Sequence, residues 1–179
     1  MRLALPLLLI AGLAVAQEAT IRADLDGNGH AESFRLVVPD NDPRADLEIA
    51  GQWQTVVYEN LGWAGIAAGT LPRLELAPNG SLRLITENSA IGRNRWEQVL
   101  TIAHRDGAYR VAGYTHAFYD TLDLDSGGFC DVNLLTGRGL LQIGKGEERA
   151  VREWAMRAPP LSDWTIDSMP PVCAPLFEN

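Results

Sequence analysis

The sequence predicts a mostly β protein, an antiparallel sheet or sandwich of hairpins with one short C-terminal helix. Three observations lead there. Apolar and polar residues alternate with period two in short runs such as Ser33-Phe34-Arg35-Leu36-Val37-Val38 and Asp46-Leu47-Glu48-Ile49-Ala50, which gives each run one apolar face. The runs are separated by Gly, Asn, Asp and Pro, the residues that punctuate hairpins. Only residues 147–156 read as helical: they hold good helix formers, place Ala150, Val151 and Trp154 at offsets of three and four, and stop ahead of Pro159-Pro160.

Taken in order, the chain opens on a segment unlike the rest. Arg2 is the only charge before Glu18, and an apolar stretch follows it that closes on Ala14-Val15-Ala16. A positive start, an apolar run and a small-x-small site define a cleavable signal peptide over residues 1–16, with Gln17 the first residue of the mature chain. The run is shorter than the roughly 20 apolar residues that a spanning helix needs. Residues 17–179 then form a single β-rich domain with a Pro-rich C-terminal tail, and the expected location is periplasmic or secreted.

Next comes Asp24-Leu25-Asp26-Gly27-Asn28-Gly29-His30-Ala31-Glu32, set between residues 19–23 and 33–38, both of which read as strands. Oxygen side chains fall at positions 1, 3, 5 and 9. Calcium takes about six to eight oxygens, and alternate residues of a tight loop can all point at one ion. Asp24, Asp26, Asn28 and Glu32 are therefore candidate ligands through their side chains, and His30 through its carbonyl. Gly27 and Gly29 allow the sharp turns. An EF-hand would need an acid at position 12, where Arg35 stands, and flanking helices in place of strands. The bland alternative is an Asp/Asn/Gly hairpin loop with solvated carboxylates.

Further along, Gln54-Thr55-Val56-Val57-Tyr58 is another alternating run. Leu74-Glu75-Leu76 and Leu82-Arg83-Leu84-Ile85 flank Pro78-Asn79-Gly80, a hairpin signal. A longer hairpin runs from Trp96 to His104 and from Tyr109 to Phe118 around Asp106-Gly107, and Trp96 and Tyr114 are expected as a cross-strand aromatic pair. A second acidic stretch from Asp120 to Gly128 alternates Asp123 with Asp125 but lacks an acid at its ninth position, and reads as a solvated loop. Val132-Asn133-Leu134-Leu135 and Leu140-Leu141-Gln142-Ile143 flank a third turn at Thr136-Gly137-Arg138-Gly139. The tail, residues 161–179, is expected to wrap the sheet.

Two cysteines, Cys130 and Cys173, remain in a chain bound for an oxidising compartment, where an even count favours a disulfide. A metal site or a catalytic thiol would need neighbouring ligands or a base, and neither has a histidine close in sequence. The net charge of −8 disfavours nucleic acid and anionic lipid as partners, since both need clustered Lys and Arg.

Residues from about Asp24 to Leu140 resemble a group of small exported bacterial proteins of unknown function. The Asp24–Glu32 loop is similar to the strand–loop–strand calcium loops of FG-GAP and VCBS-type repeats. Asn94-Arg95-Trp96-Glu97-Gln98, then Tyr109-Arg110-Val111-Ala112-Gly113-Tyr114, then Asp131-Val132-Asn133-Leu134-Leu135-Thr136-Gly137-Arg138 carry the rest of the likeness. The resemblance implies a β-rich exported domain and a VCBS-like label. It carries no catalytic residues, and the last forty residues fall outside it.

No catalytic constellation stands out. There is no GxSxG, and of His30, His104 and His116 only the last two could share a face of the long hairpin, where zinc would still lack a third ligand. The reading is an exported, non-catalytic binding or accessory module, stabilised by one calcium ion and one disulfide, whose partner is a protein or an envelope component. The alternative is a hydrolase acting on envelope polymers.

Overall fold

The computed structural model describes residues 20–40 and 42–178. The segment expected to be a signal peptide, residues 1–16, and Gln17 lie outside the described residues. Among the described residues eleven strands, in chain order, build two antiparallel sheets. The first sheet holds β1 (Ile21–Ala23), β2 (Glu32–Val37), β3 (Arg44–Ala50) and β4 (Thr55–Trp63), side by side in that order. The second holds β5 (Arg73–Leu76), β6 (Leu82–Asn88), β7 (Asn94–Arg105), β8 (Ala108–Asp120), β9 (Gly127–Asn133), β10 (Arg138–Ile143) and β11 (Arg149–Arg152), again in chain order. Each of these strands therefore pairs with its sequence neighbour, and among the described residues the one change of sheet comes between β4 and β5. Among the described residues no helix is long and apolar enough to cross a membrane.

Period-two alternation decides which face of each strand is buried. In β3, Ala45, Leu47 and Ile49 are buried while Arg44, Asp46, Glu48 and Ala50 are not. Phe34, Leu47, Ile49 and Leu61 of the first sheet share one core with Leu82, Leu84, Leu100, Ile102, Val111, Tyr114 and Val132 of the second. Gly62 of β4 packs against β6 of the other sheet: a Cβ there would stand 2.6 Å from Cγ2 of Thr86, so glycine is what leaves room for the Thr86 side chain. The β7–β8 turn places both Asp106 (φ 52°) and Gly107 (φ 75°) in the left-handed region, the signature of the turn that matches strand twist. In the turn after β9, Asn133 bonds back to backbone: its Oδ1 accepts the Thr136 N–H at 3.0 Å.

Two local expectations are corrected. Residues 147–156 are not helical. Residues 149–152 form β11, which pairs with β10 through Arg138↔Arg152 and Leu141↔Arg149. The ladder on the open edge of β10 outweighs a modest helix propensity, since each paired residue satisfies backbone groups that the edge would otherwise leave to water. The C-terminal helical turns come later, at Leu161–Asp163 and Pro171–Phe177. The register of the long hairpin also differs. Trp96 lies opposite Phe118 and Tyr114 opposite Leu100, so Trp96 and Tyr114 are not a cross-strand pair.

The tail does wrap the sheet. Leu161, Trp164, Cys173 and Leu176 are buried in the common core. Cys173 is bonded to Cys130 of β9. A second tie comes from Glu153, which is buried and whose carboxylate accepts the N–H groups of Ala155 (2.7 Å), Met156 (3.1 Å) and Val172 (3.2 Å). The carboxylate thus joins the turn after β11 to the last helical turn.

Candidate functional site

The β1–β2 loop is closed at its base by the ladder pair Ala23↔Glu32, which sets Asp24 and Glu32 side by side across the loop mouth. Gly27 (φ 75°) and Gly29 (φ 88°) take left-handed conformations that an L side chain would strain. Between them the chain folds back on its own carboxylates. Asp24 Oδ2 accepts the Gly29 N–H at 2.9 Å, and Asp26 Oδ1 accepts the Asn28 N–H at 2.9 Å. Asn28 donates from Nδ2 to Asp26 Oδ2 at 2.8 Å, and its Oδ1 accepts the His30 N–H at 2.8 Å.

These bonds bring together Asp24, Asp26 and Glu32, whose carboxylate oxygens lie within 4.8 Å of one another. Asn28 sits at the rim of the cluster, bonded to Asp26. The His30 imidazole is not part of it. Glu32 is the buried member, 3% exposed, and its Oε2 accepts the Leu25 N–H at 2.8 Å. Burial raises the Glu32 pKa, against the lowering effect of that hydrogen bond, and the nearby Asp26 and Asp24 charges raise it further. The donor set is all oxygen and carries up to three negative charges in a small volume. Hard divalent cations select that chemistry.

The loop does not stand alone. Asp26, Asn28 and Glu32 line a cavity of about 410 Å³ together with Trp53, Tyr58, His104 and Tyr109. Tyr109 packs edge-on against Phe34, Tyr58 and His104, with ring centroids 6.4, 6.3 and 5.2 Å away. Its hydroxyl is held protonated first by burial, then by the Glu32 and Asp26 charges. Trp53, at the tip of the β3–β4 connection, is 88% exposed. Sequence reasoning missed this aromatic surround. The signal was Gln52-Trp53-Gln54, a large apolar ring between two amides in a turn.

The other sequence candidates separate. His104 stands beside Tyr109, whereas His116 pairs with Gln98 at the far end of the same hairpin, about 20 Å away by strand rise. The two cannot share a zinc ion. In the second acidic stretch, Asp120 accepts from Arg93 Nε at 2.5 Å and from the Leu122 N–H at 2.8 Å. Asp125 meets Lys145 Nζ at 2.6 Å. Both carboxylates already have partners, and Asp120 is buried where the solvated-loop reading had it in water, while Asp125 is exposed.

Compared with known proteins, the chain matches no family model, no curated protein and no solved structure.

Proposed function

We propose that this is an exported, non-catalytic binding or accessory module of the VCBS-like kind, whose β1–β2 loop holds one structural calcium ion. The observation that carries the reading is the convergence of Asp24, Asp26 and Glu32 within 4.8 Å, on a loop whose backbone is already folded by its own side chains. Three clustered carboxylates repel one another, and a divalent cation converts that repulsion into attraction. Asn28 and the His30 carbonyl complete the ligand set. Export rests on residues 1–16 and agrees with the Cys130–Cys173 bond, which persists in oxidising compartments. The ion fixes the wall of the aromatic cavity beside it, where a protein or envelope component would dock.

The test is thermal unfolding in calcium, in magnesium and in chelator, for the natural protein and Asp26→Ala. At a Kd of about 10⁻⁴–10⁻³ M, usual for extracellular modules, calcium at about 10 mM adds about 1–3 kcal/mol. For a domain of this size that raises Tm by about 2–12 °C. Magnesium, with its octahedral demand, does much less, and Asp26→Ala abolishes the shift. The pH dependence has a definite sign. Because the folded pKa of Glu32 is raised, its contribution in chelator is present below 4.5 and is lost as pH rises through the folded value. The calcium increment therefore grows with pH over that window. Equal Tm in all three buffers at neutral pH rules the ion out.

A further inference from the structure

The cavity beside the acidic loop opens between the two sheets at one end of the sandwich. Ile49, Val56 and Tyr58 of the first sheet stand on the face that carries Leu47 into the core. His104 and Tyr109 come from the second sheet, next to the β7–β8 turn. At about 410 Å³ the cavity falls within the roughly 300–1,000 Å³ usual for a small-molecule site.

Two kinds of group in its lining are left over from folding. The first is the Trp53 indole at the rim, held out on a turn that the Gly51 N–H closes onto the Gln54 carbonyl at 2.9 Å. At 88% exposure this ring adds little to the core, and its apolar face is free to cover a ligand. The second is a set of polar side chains: the Gln52 and Gln54 amides and the Tyr58 and Tyr109 hydroxyls. None of these makes a hydrogen bond to another described residue. The Tyr109 hydroxyl is close enough to Glu32, Asp26 and Tyr58 to feel their charges, which sets it toward the loop side of the cavity.

Charge narrows the occupant. No Lys or Arg lines the cavity, so an anionic ligand finds no ion-pair partner there. The acids in the lining, Asp26 and Glu32, are ligands of the proposed ion, which takes up their charge. What faces the cavity is then an indole, two amides and two hydroxyls, and the amides and hydroxyls both donate and accept hydrogen bonds. A sugar ring is their complement, with C–H groups on one face and hydroxyls around its edge.

We propose that this cavity binds a neutral saccharide, one ring lying on Trp53 and its hydroxyls bonded by Tyr58, Tyr109 and the two Gln amides. The saccharide is the envelope component on which the module docks. The inference rests on the calcium reading, because Asp26, Asn28 and Glu32 form one wall of the cavity. The competing occupant is a basic peptide, drawn by the same carboxylates and by the indole.

The experiment is isothermal titration of the mature protein in calcium at about 10 mM, with the calcium shift in Tm recorded on the same samples. The probes are maltotriose, cellotriose and triacetylchitotriose, with trigalacturonate as the anionic control and trilysine as the cationic one. At least one neutral trisaccharide should bind saturably, and both charged probes at least fivefold more weakly. Trp53→Ala should abolish sugar binding while leaving Tm and its calcium shift unchanged. Tyr109→Phe, which keeps the ring and removes the hydroxyl, should weaken sugar binding at least threefold, and so should chelator. The two readings fail separately. A calcium shift without saturable binding of any neutral trisaccharide overturns the saccharide alone, whereas a missing calcium shift overturns the ion and the wall it was to set. Sugar binding undiminished by Trp53→Ala, or trilysine bound tighter than every neutral trisaccharide, also overturns the proposal.

Discussion

Breaking the bond between Cys130 and Cys173 perturbs the fold, and its cost can be worked out in advance. The two residues are 43 positions apart. On the chain-entropy account, releasing a loop of that length returns to the unfolded chain about 4 kcal/mol of conformational freedom. Cys130→Ala with Cys173→Ala should therefore lower stability by about 4 kcal/mol, and Tm by about 8–16 °C for a domain of this size. The loss should not be uniform. Leu161 and Trp164 are 0% and 1% exposed and pack into the core without help from the bond. The last helical turn, Pro171–Phe177, has Leu176, the Glu153–Val172 bond and the disulfide as its ties. Hydrogen exchange at residues 172–177 should rise well before that at 161–166. The assay is urea unfolding paired with hydrogen-exchange mass spectrometry, on the double variant and on protein treated with a phosphine reductant. A stability within about 1 kcal/mol of the natural protein would refute the reasoning. Faster exchange appearing first in β2 and β3 would refute it too.

Three further outcomes follow from particular contacts. The pKa of His116 is depressed from 6.5 to about 4 by burial, so its contribution to stability is complete above pH 6.5 and is lost as pH falls toward 4, amounting to about 2 kcal/mol at pH 5. Urea midpoints between pH 7 and 4.5 should show this loss, and His116→Gln should remove it. Glu153→Ala strips three backbone N–H groups of their shared acceptor and should cost about 3 kcal/mol, with Glu153→Gln recovering part of it in the same assay. Gly62→Ala drives a Cβ to 2.6 Å from Thr86 Cγ2 and should cost about 1–3 kcal/mol. Adding Thr86→Ser, which deletes that methyl, should restore much of the loss; a double variant no better than Gly62→Ala would place the strain in the backbone.

How much of this was legible in the sequence depends on how local each feature is. β3 could be read because Ala45, Leu47 and Ile49 announce one buried face by themselves. The turn at Asp106-Gly107 carries its own backbone preference. Asp24, Asp26 and Glu32 lie within one nine-residue loop, so their meeting was implied by spacing. Cys130 and Cys173 needed only a count of two. By contrast, residues 149–152 hold formers of both helix and strand, and what decides between them is the unpaired edge of β10, which no local pattern reports. The Trp96–Tyr114 pairing fails on register alone: counting back from the Asp-Gly turn sets Ala117 opposite Trp96, and the bulge between Thr101 and Ile102 moves that partner one further, to Phe118.

The same distinction separates the acidic loop from the ring-lined cavity at the other end of the β7–β8 hairpin. Strand order follows chain order in both sheets, so most contacts join sequence neighbours, and a hairpin loop such as that at Asp24–Glu32 is built by one short stretch. The chain departs from that economy in two places: the change of sheet after β4, and the return of the tail beneath β9 and β10. Trp63 stands where the first departure begins, and Leu176 and Phe177 lie on the second. Between them sit Trp96 and His116, on the long hairpin that both departures touch. That cavity arises because three non-adjacent segments meet with their rings inward, and the disulfide ties one of them in place. The acidic loop is thus written in consecutive residues and the ring-lined cavity in topology, which is why only the first announces itself before folding.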